Sequence, residues 1–234
     1  MKIHNEDKTK LVNSVFSKVH KKYDFMNDIM SMGIHRLWKR KMIDWMMPQN
    51  NKILLDVASG TGDLAKIFLD RTNNSCKVEC VEPNKEMLDF GKNKLKSYKN
   101  INWHHAPAEK LPFSDNTFDF YTISYGIRNV TDINLCLKEA FRVLKTGGRF
   151  MCLEFSKIEN ELLNKFYSQY SKAFPLIGKY VVGSSKPYEY LIKSIEEFYN
   201  QEELAELIIK NGFLNVEFRN LSNGISAIHS GWKI

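Results

Sequence analysis

The sequence predicts an α/β protein: an open, mostly parallel sheet that ends in an antiparallel hairpin. Three observations carry that reading. Short β-branched or aromatic runs alternate with helix-like segments, which argues for βαβ units. One such run leads straight into a small, Gly-rich turn and a helical pattern, "ILLDVASGTGDLAKIF" from Ile53 to Phe68. Two further runs, "VEFRNL" and "ISAIHSGWKI", are joined by "SNG" alone, and strands connected so tightly must be antiparallel.

Taken in order, residues 9–22 place Leu11, Val12, Val15, Phe16 and Val19 at helical spacing, which predicts an amphipathic helix. "KILLDVA", "CKVECVEP", "INWHHA", "FDFYTISYG" and "RFMCLEFS" are the strand candidates, each bounded by turn residues. "INLCLKEAFRVLKTGG" predicts a helix from about 132 to 145, stopped by Gly147 and Gly148. His104 and His105 read as strand residues with no assigned role.

A chain of 234 residues, 43% hydrophobic and 26% charged, is long enough for one sizeable core and short for two domains. Cys76, Cys80, Cys136 and Cys152 form no C-x-x-C pair, and no His/Cys cluster has metal-ligand spacing. They read as reduced thiols of a cytoplasmic protein with no metal. The start, "MKIHNEDKTK", has no apolar signal-peptide core, and no apolar run is long enough to span a bilayer. The net charge of +7 is concentrated: residues 1–41 hold ten Lys/Arg against four Asp/Glu. Such a segment suits an anionic membrane surface or nucleic acid; a solvated face is the plainer alternative.

In an open α/β sheet the ligand sits beyond the carboxyl ends of the strands. "GTGDLA" satisfies the dinucleotide pattern G-x-G-x-x-A, which alone is weak support. A pyrophosphate needs the bare positive end of a helix. Here Asp63 is expected at that end, with Asp56 closing the strand before it. Two carboxylates favour a cationic ligand without phosphate, and S-adenosylmethionine fits: a sulfonium, an ammonium, an adenosine and one carboxylate. The turn Ala58-Ser59-Gly60-Thr61-Gly62 would let the backbone approach it. The next strand ends in "VEP", where Glu82, followed by Pro83, is expected to accept both ribose hydroxyls. One strand further on, Ala108 and Glu109 in "HHAPAEKLPF" are expected at the adenine.

The chain resembles a class I methyltransferase and, more narrowly, the UbiE/MenG quinone C-methyltransferase family. "YDFMNDIMSMGIHRLW" (Tyr23 to Trp38) and "RVLKTGGRFMCLEFS" (Arg142 to Ser156) carry the likeness, with Thr146 where the family has Pro. "TISYGIRNVTD" and "AIHSGWK" extend it over nearly the whole chain. The resemblance implies a Rossmann-like, mostly parallel seven-stranded sheet ending in an antiparallel hairpin, with N-terminal helices and an inserted helical lid. It divides a single domain into a basic, Met-rich cap (1–47), a donor-binding core (48–156), a lid (157–200) and a C-terminal helix and hairpin (201–234). It implies donor contacts at Thr61, Glu82, Ala108 and Ser124. Pro107 stands where the family often has Asn, and proline offers no N–H.

The resemblance implies a polyprenylated quinol as acceptor. Met26, Met30, Met32, Met42, Met46 and Met47, with Trp38 and Trp45, suit an adaptable apolar surface; a loosely packed core is the plainer alternative. A second apolar stretch runs from Phe166 to Tyr190. Ring methylation requires a phenolic proton to leave, directly or through water. Candidates are His35, His229, Tyr23, Asp24 and Arg128. The family implicates the Arg128-Asn129 pair at the acceptor, where a guanidinium would stabilise the phenolate. The resemblance further implies transient contact with the membrane, membership of a quinone-biosynthesis complex, no nucleic acid, and a cytoplasmic place at the inner membrane surface (the matrix side in a mitochondrion). Rival readings are O- or N-methylation of a small polar acceptor, a non-catalytic S-adenosylmethionine- or RNA-binding protein, and a nicotinamide-dependent dehydrogenase.

Overall fold

The computed structural model describes residues 31, 33–158 and 186–234, without the side chains of 186–188. The predicted helix over 9–22, the candidate residues Tyr23, Asp24, Met26, Met30 and Met32, and residues 166–185 of the apolar stretch from Phe166 to Tyr190 lie outside these residues.

Seven strands form one sheet. In chain order the elements are α1 (His35–Met46), β1 (Ile53–Val57), α2 (Asp63–Arg71), β2 (Lys77–Val81), α3 (Lys85–Lys94), β3 (Ile101–His104) and β4 (Phe118–Ser124). Then come a 3₁₀ turn (Ile127–Asn129), α4 (Ile133–Val143), β5 (Leu144–Phe155), α5 (Lys186–Glu196), α6 (Gln201–Lys210), β6 (Leu214–Leu221) and β7 (Ser226–Trp232). The spatial order is β3-β2-β1-β4-β5-β7-β6. Strands β1 to β5 pair in parallel, and β7 runs antiparallel to both β5 and β6. The class and the closing hairpin are those the sequence predicts. Its turn is made by Ser222, Asn223 and Gly224, all at positive φ.

The parallel strands are buried on both faces. Leu54 and Leu55, wholly buried neighbours on β1, belong to two separate apolar layers. One layer gathers Phe68, Phe120, Met151 and Phe155, the other Tyr121, Phe150, Ile208 and Phe213. That is why these strands read as near-continuous apolar runs instead of alternating. All four cysteines are buried free thiols.

Local chemistry sets the helix starts. Asn84 accepts from the Met87 amide at 3.0 Å and Asp132 from the Asn134 amide at 2.8 Å, while Asn200 and Glu203 form a reciprocal capping box. Helix α4 stops at Val143, two residues before the expected end. Leu144 already pairs with Phe118 in the β4–β5 ladder, so sheet pairing outweighs helix propensity there. Lys233 Nζ then donates to the Phe141 and Leu144 carbonyls at 2.8 and 2.7 Å, satisfying the end of α4.

The described part of the Met/Trp-rich segment is core, not a ligand wall. Trp38, Met42, Ile43 and Met46 are buried on one side of α1, and Trp38 meets Phe155 edge-on at 6.4 Å. Met47 is the exception, 72% exposed. Arg149 lies between the rings of Trp45 and Trp232 at 5.2 and 4.9 Å, and its Nη1 donates to the Trp45 carbonyl at 2.6 Å. A cation at the carboxyl end of α1 holds that helix against the sheet.

Candidate active site

The strand order reverses between β1 and β4, so the crevice beyond their carboxyl ends is where this topology holds a ligand. A cleft lies there, lined from the β1 side by Asp56, Ala58, Ser59, Gly60, Thr61, Asp63 and Leu64. Ser124 and Tyr125 line it from β4, and Lys39 reaches it from α1. Ala58 and Tyr125 both hold left-handed backbone, with φ of 50° and 56°. Non-glycine residues in that region carry local strain that the surrounding packing must over-determine, and such strain gathers at ligand sites. The two loops also touch: a Cβ on Gly126 would come within 2.5 Å of the Ala58 Cβ.

Three buried side-chain oxygens of residues that line this cleft, Asp56 Oδ2, Ser59 Oγ and Ser124 Oγ, have no hydrogen-bond partner among the described residues. Asp56 Oδ1 accepts from the Thr122 hydroxyl at 2.8 Å. Burial raises the Asp56 carboxyl to about 7, against the opposing pull of Thr122. An orphaned carboxylate oxygen and a hydroxyl at the mouth of β1 and β4 fit a ligand bearing a positive charge.

Asp63 is not the bare acid that its place at the start of α2 suggests. Its two oxygens are taken by Lys39 Nζ and Lys94 Nζ, each at 2.9 Å. Burial alone would raise its pKa, but the two ammonium groups outweigh that and hold it well below the usual carboxylate range. Asp63 is thus a compensated anion, and Asp56 is the acid that faces the cleft with an oxygen in reserve. Gly62 is corrected too. It caps α2 at φ +82°, and a Cβ there would sit 2.6 Å from Leu95 Cδ1 and 2.8 Å from the Trp103 ring. It is glycine because the helix packs against Trp103, whereas Gly60, at φ +57°, is the one that borders the cleft. Gly62→Ala is expected to destabilise the protein by about 3 kcal/mol, a loss of roughly 6–12 °C in thermal midpoint; an unchanged melting curve would refute the packing role.

Glu82 stands behind Gly60 and braces it. One carboxylate oxygen accepts from the Gly60 amide at 2.8 Å and the other from the Asn84 amide at 2.9 Å. Burial raises this carboxyl to about 7 despite those two bonds. Glu109, expected at the adenine, instead accepts from the Thr131 amide at 2.5 Å and the Asp132 amide at 3.3 Å, which orders the turn before α4. Pro107 is exposed, Ala108 buried, and the exposed Pro83 accepts from His105 Nε2 at 2.8 Å through its carbonyl.

Of the proton-acceptor candidates, His229 is corrected outright. It is 1% exposed on β7, and its Nε2 donates to the Gln201 carbonyl at 2.8 Å. Its ring packs on Phe218, and burial lowers its pKa to about 4, so it is a neutral core histidine. His35 is buried at the start of α1 with Nδ1 3.0 Å from the Ser31 hydroxyl, and does not line the cleft. Arg128 is buried in an ion pair with Glu154, and it also donates to the Tyr125 carbonyl at 3.2 Å. Asn129 donates to the same carbonyl at 3.3 Å and accepts from the Tyr190 hydroxyl on α5 at 3.0 Å. Arg128 and Asn129 therefore share one backbone anchor, Tyr125, with the donor cleft.

Sequence reasoning missed Lys39, Thr122, Tyr125 and Glu154. Lys39 and Glu154 stand within or directly beside the two family-like stretches, while Thr122 and Tyr125 lie in "TISYG".

Residues 1–233 match the ubiE/COQ5 methyltransferase family. The chain is 49% identical to the ubiquinone/menaquinone biosynthesis C-methyltransferase of Rickettsia bellii over 241 residues, covering 100% of this chain and 96% of the relative. It is 46% identical to the protein of that name from Brucella abortus (strain S19), over 99% of this chain and 88% of the relative. Among solved structures it is similar to an S-adenosylmethionine-dependent methyltransferase of Thermotoga maritima, at TM-score 0.67 and 21% identity, covering 94% of this chain and 99% of that one. It is also similar in fold to a Haemonchus contortus phosphoethanolamine N-methyltransferase in complex with S-adenosylmethionine, at TM-score 0.61 and 14% identity over 84% of this chain and 52% of that one. With a class I methyltransferase sheet and a match of this extent, the chain belongs to the ubiE/COQ5 methyltransferase family.

Proposed function

We propose that this protein transfers a methyl group from S-adenosylmethionine to a ring carbon of a polyprenylated quinol, in ubiquinone or menaquinone biosynthesis. The observation that carries the reading is the cleft at the strand reversal, with Asp56 Oδ2 and Ser124 Oγ buried in it and without partners among the described residues. Near full-length similarity to C-methyltransferases of those pathways supports the acceptor. Bound in the cleft, the donor supplies an electrophilic methyl on a cationic sulfur.

In this reading Asp56 faces the donor's ammonium, Gly60 and Thr61 lie along its methionine end, and Ser124 closes the other side. Glu82 keeps the Gly60 loop in shape and meets the ribose with its remaining lone pairs. Arg128 and Asn129 frame the acceptor. Arg128 Nε is buried and has no partner among the described residues, so it is a donor that a quinol oxygen can use. A guanidinium there stabilises the phenolate whose electron density makes the ring carbon nucleophilic. Tyr190 of α5 holds Asn129 from the far side.

The surplus of six basic residues over acidic ones in residues 1–41 supports a peripheral site on an anionic membrane, where a prenylated acceptor resides. No helix among the described residues is long and apolar enough to cross a bilayer. The test is an assay with S-adenosylmethionine and either demethylmenaquinol or 2-methoxy-6-polyprenyl-1,4-benzoquinol in anionic vesicles. The expected product carries one more methyl on a ring carbon. Methylation on oxygen, or turnover of small polar amines and alcohols alone, would overturn the reading.

A further inference from the structure

We propose that Glu154, near the end of β5, takes the hydroxyl proton of the quinol and hands it back once the methyl has been transferred. The inference rests on the acceptor reading above and supplies that reading with its base.

Two buried atoms of one ion pair are left over. Arg128 Nη1 and the Phe155 amide both donate to Glu154 Oε1, the amide at 2.9 Å. Glu154 Oε2 and Arg128 Nε are buried and have no hydrogen-bond partner among the described residues. A guanidinium and a carboxylate that serve only the fold are best paired fork to fork, with both oxygens in use. Here one oxygen is used, which leaves an acceptor on the carboxylate and a donor on the guanidinium. A hydroxyl group answers both, because it gives one hydrogen bond and takes others.

The pair stands beside the donor cleft. Tyr125 lines that cleft, and its amide donates to the Leu153 carbonyl at 2.8 Å, so the residue before Glu154 is bonded directly to the cleft loop. The Tyr125 carbonyl in turn accepts from Arg128 Nη1 at 3.2 Å. On the far side is Tyr190 of α5, which donates to Asn129 and whose phenol feels the charges of both Arg128 and Glu154. Tyr190 is only partly buried, and in this proposal the quinol ring enters by turning that side chain aside.

The chemistry suits the task. Burial pushes the Glu154 carboxyl up, against the pull of the Arg128 guanidinium and of the Phe155 and Arg128 amides. A raised carboxyl is a stronger base when ionised, and none of those groups bonds Oε2. The histidines do not compete: His229 is sealed against Gln201, and His35 does not line the cleft. In the forward step Oε2 takes the phenolic proton while a ring carbon forms its bond to the methyl. The carbon–sulfur bond breaks with its electron pair going to sulfur, and the ring becomes a neutral dienone. Water then removes the proton from the methylated carbon, that electron pair restores the aromatic ring, and Glu154 returns its proton to the oxygen. One proton leaves in all, which balances the positive charge lost from sulfur.

The test is single-turnover methylation of a prenylated quinol in anionic vesicles, without oxygen and with S-adenosylmethionine saturating, between pH 7 and 9. The unsubstituted protein is expected to give a flat profile, because the accepting carboxylate is its own. Glu154→Gln keeps a carbonyl for Arg128 and Phe155 but loses the basic oxygen, and its rate at pH 7 is expected to fall roughly a hundredfold or more. That rate is then expected to recover about tenfold per pH unit, as solvent ionises a phenol whose own pKa is about 10. The affinity for S-adenosylhomocysteine and the thermal midpoint report the fold of the variant separately. A rate within about threefold of the unsubstituted protein, or a loss equal at every pH, would overturn the role; the second result would leave Glu154 as a brace for Arg128. If the variant does not fold, the unsubstituted protein decides: a flat profile supports the role, and a rise of about tenfold per pH unit in its own rate would overturn it by showing the proton leaving to solvent. A protein that methylates no quinol at any pH would instead overturn the acceptor reading itself.

Discussion

Arg128→Met is expected to destabilise the protein by about 3–5 kcal/mol, because it strands Glu154 without its counter-ion. Both side chains are almost wholly enclosed, at 3% and 2% exposure, and burial already pushes the Glu154 carboxyl up against the opposing charge of Arg128. The guanidinium also sits 5.6 Å from the Phe155 ring. Replacing both partners, Arg128→Met with Glu154→Met, removes the uncompensated charge and is expected to recover most of that stability. The double variant separates two roles that a single substitution confounds. If Arg128 also holds the acceptor, the recovered fold will bind S-adenosylhomocysteine normally and still turn over poorly on a quinol. Chemical denaturation gives the first quantity, and single-turnover assays give the second. Normal turnover by the stabilised double variant would confine Arg128 to the fold.

Asp56→Asn is expected to weaken donor binding about a hundredfold, close to 2.7 kcal/mol, by removing the buried anion that faces the ammonium. It should also change the pH dependence. The Asp56 carboxyl is raised to about 7 in the ligand-free protein. A group raised above its unfolded value adds stability at low pH and loses it as pH climbs through the folded value. For Asp56 that loss spans roughly pH 4 to 7. Donor binding runs the other way, because the cationic ligand favours the ionised acid. Between pH 6 and 8 the affinity of the unsubstituted protein should therefore rise about tenfold, with a proton released on binding. Calorimetry in buffers of differing ionisation enthalpy detects that proton. A flat pH profile, or one that persists in Asp56→Asn, would remove Asp56 from the donor's ammonium.

The sheet was legible because its strands are buried on both faces, so each announces itself as an apolar run between turn residues. The Gly-rich turn was legible for a similar reason: few other residues can follow that path. What the sequence does not display is which distant partner each polar group finds. Asp63 looks like a bare acid at a helix end, yet its partners Lys39 and Lys94 lie 24 and 31 residues away. Glu109 has the spacing of an adenine ligand, but amides 22 and 23 residues further on capture it. His229 is chemically suited to take a proton, and only the approach of α6 through Gln201 shows it to be sealed. Met42 and Met46 illustrate the same limit for apolar residues. Their composition suits an adaptable ligand wall or a packed core equally, and the docking of α1 decides for the core.

Strand β7 lies between β5 and β6 although it follows every other strand in the chain. During synthesis, the outer edge of β5 must therefore wait while about seventy further residues are added, several seconds at ordinary translation rates. Until β7 arrives, that edge of β5 lacks the strand it pairs with in the folded protein, and an unpaired strand edge is the kind of surface that invites aggregation or a chaperone's grip. The sheet is thus complete only when its last strand arrives, and a ribosome that stalls before Ser226 would leave β5 without its antiparallel neighbour.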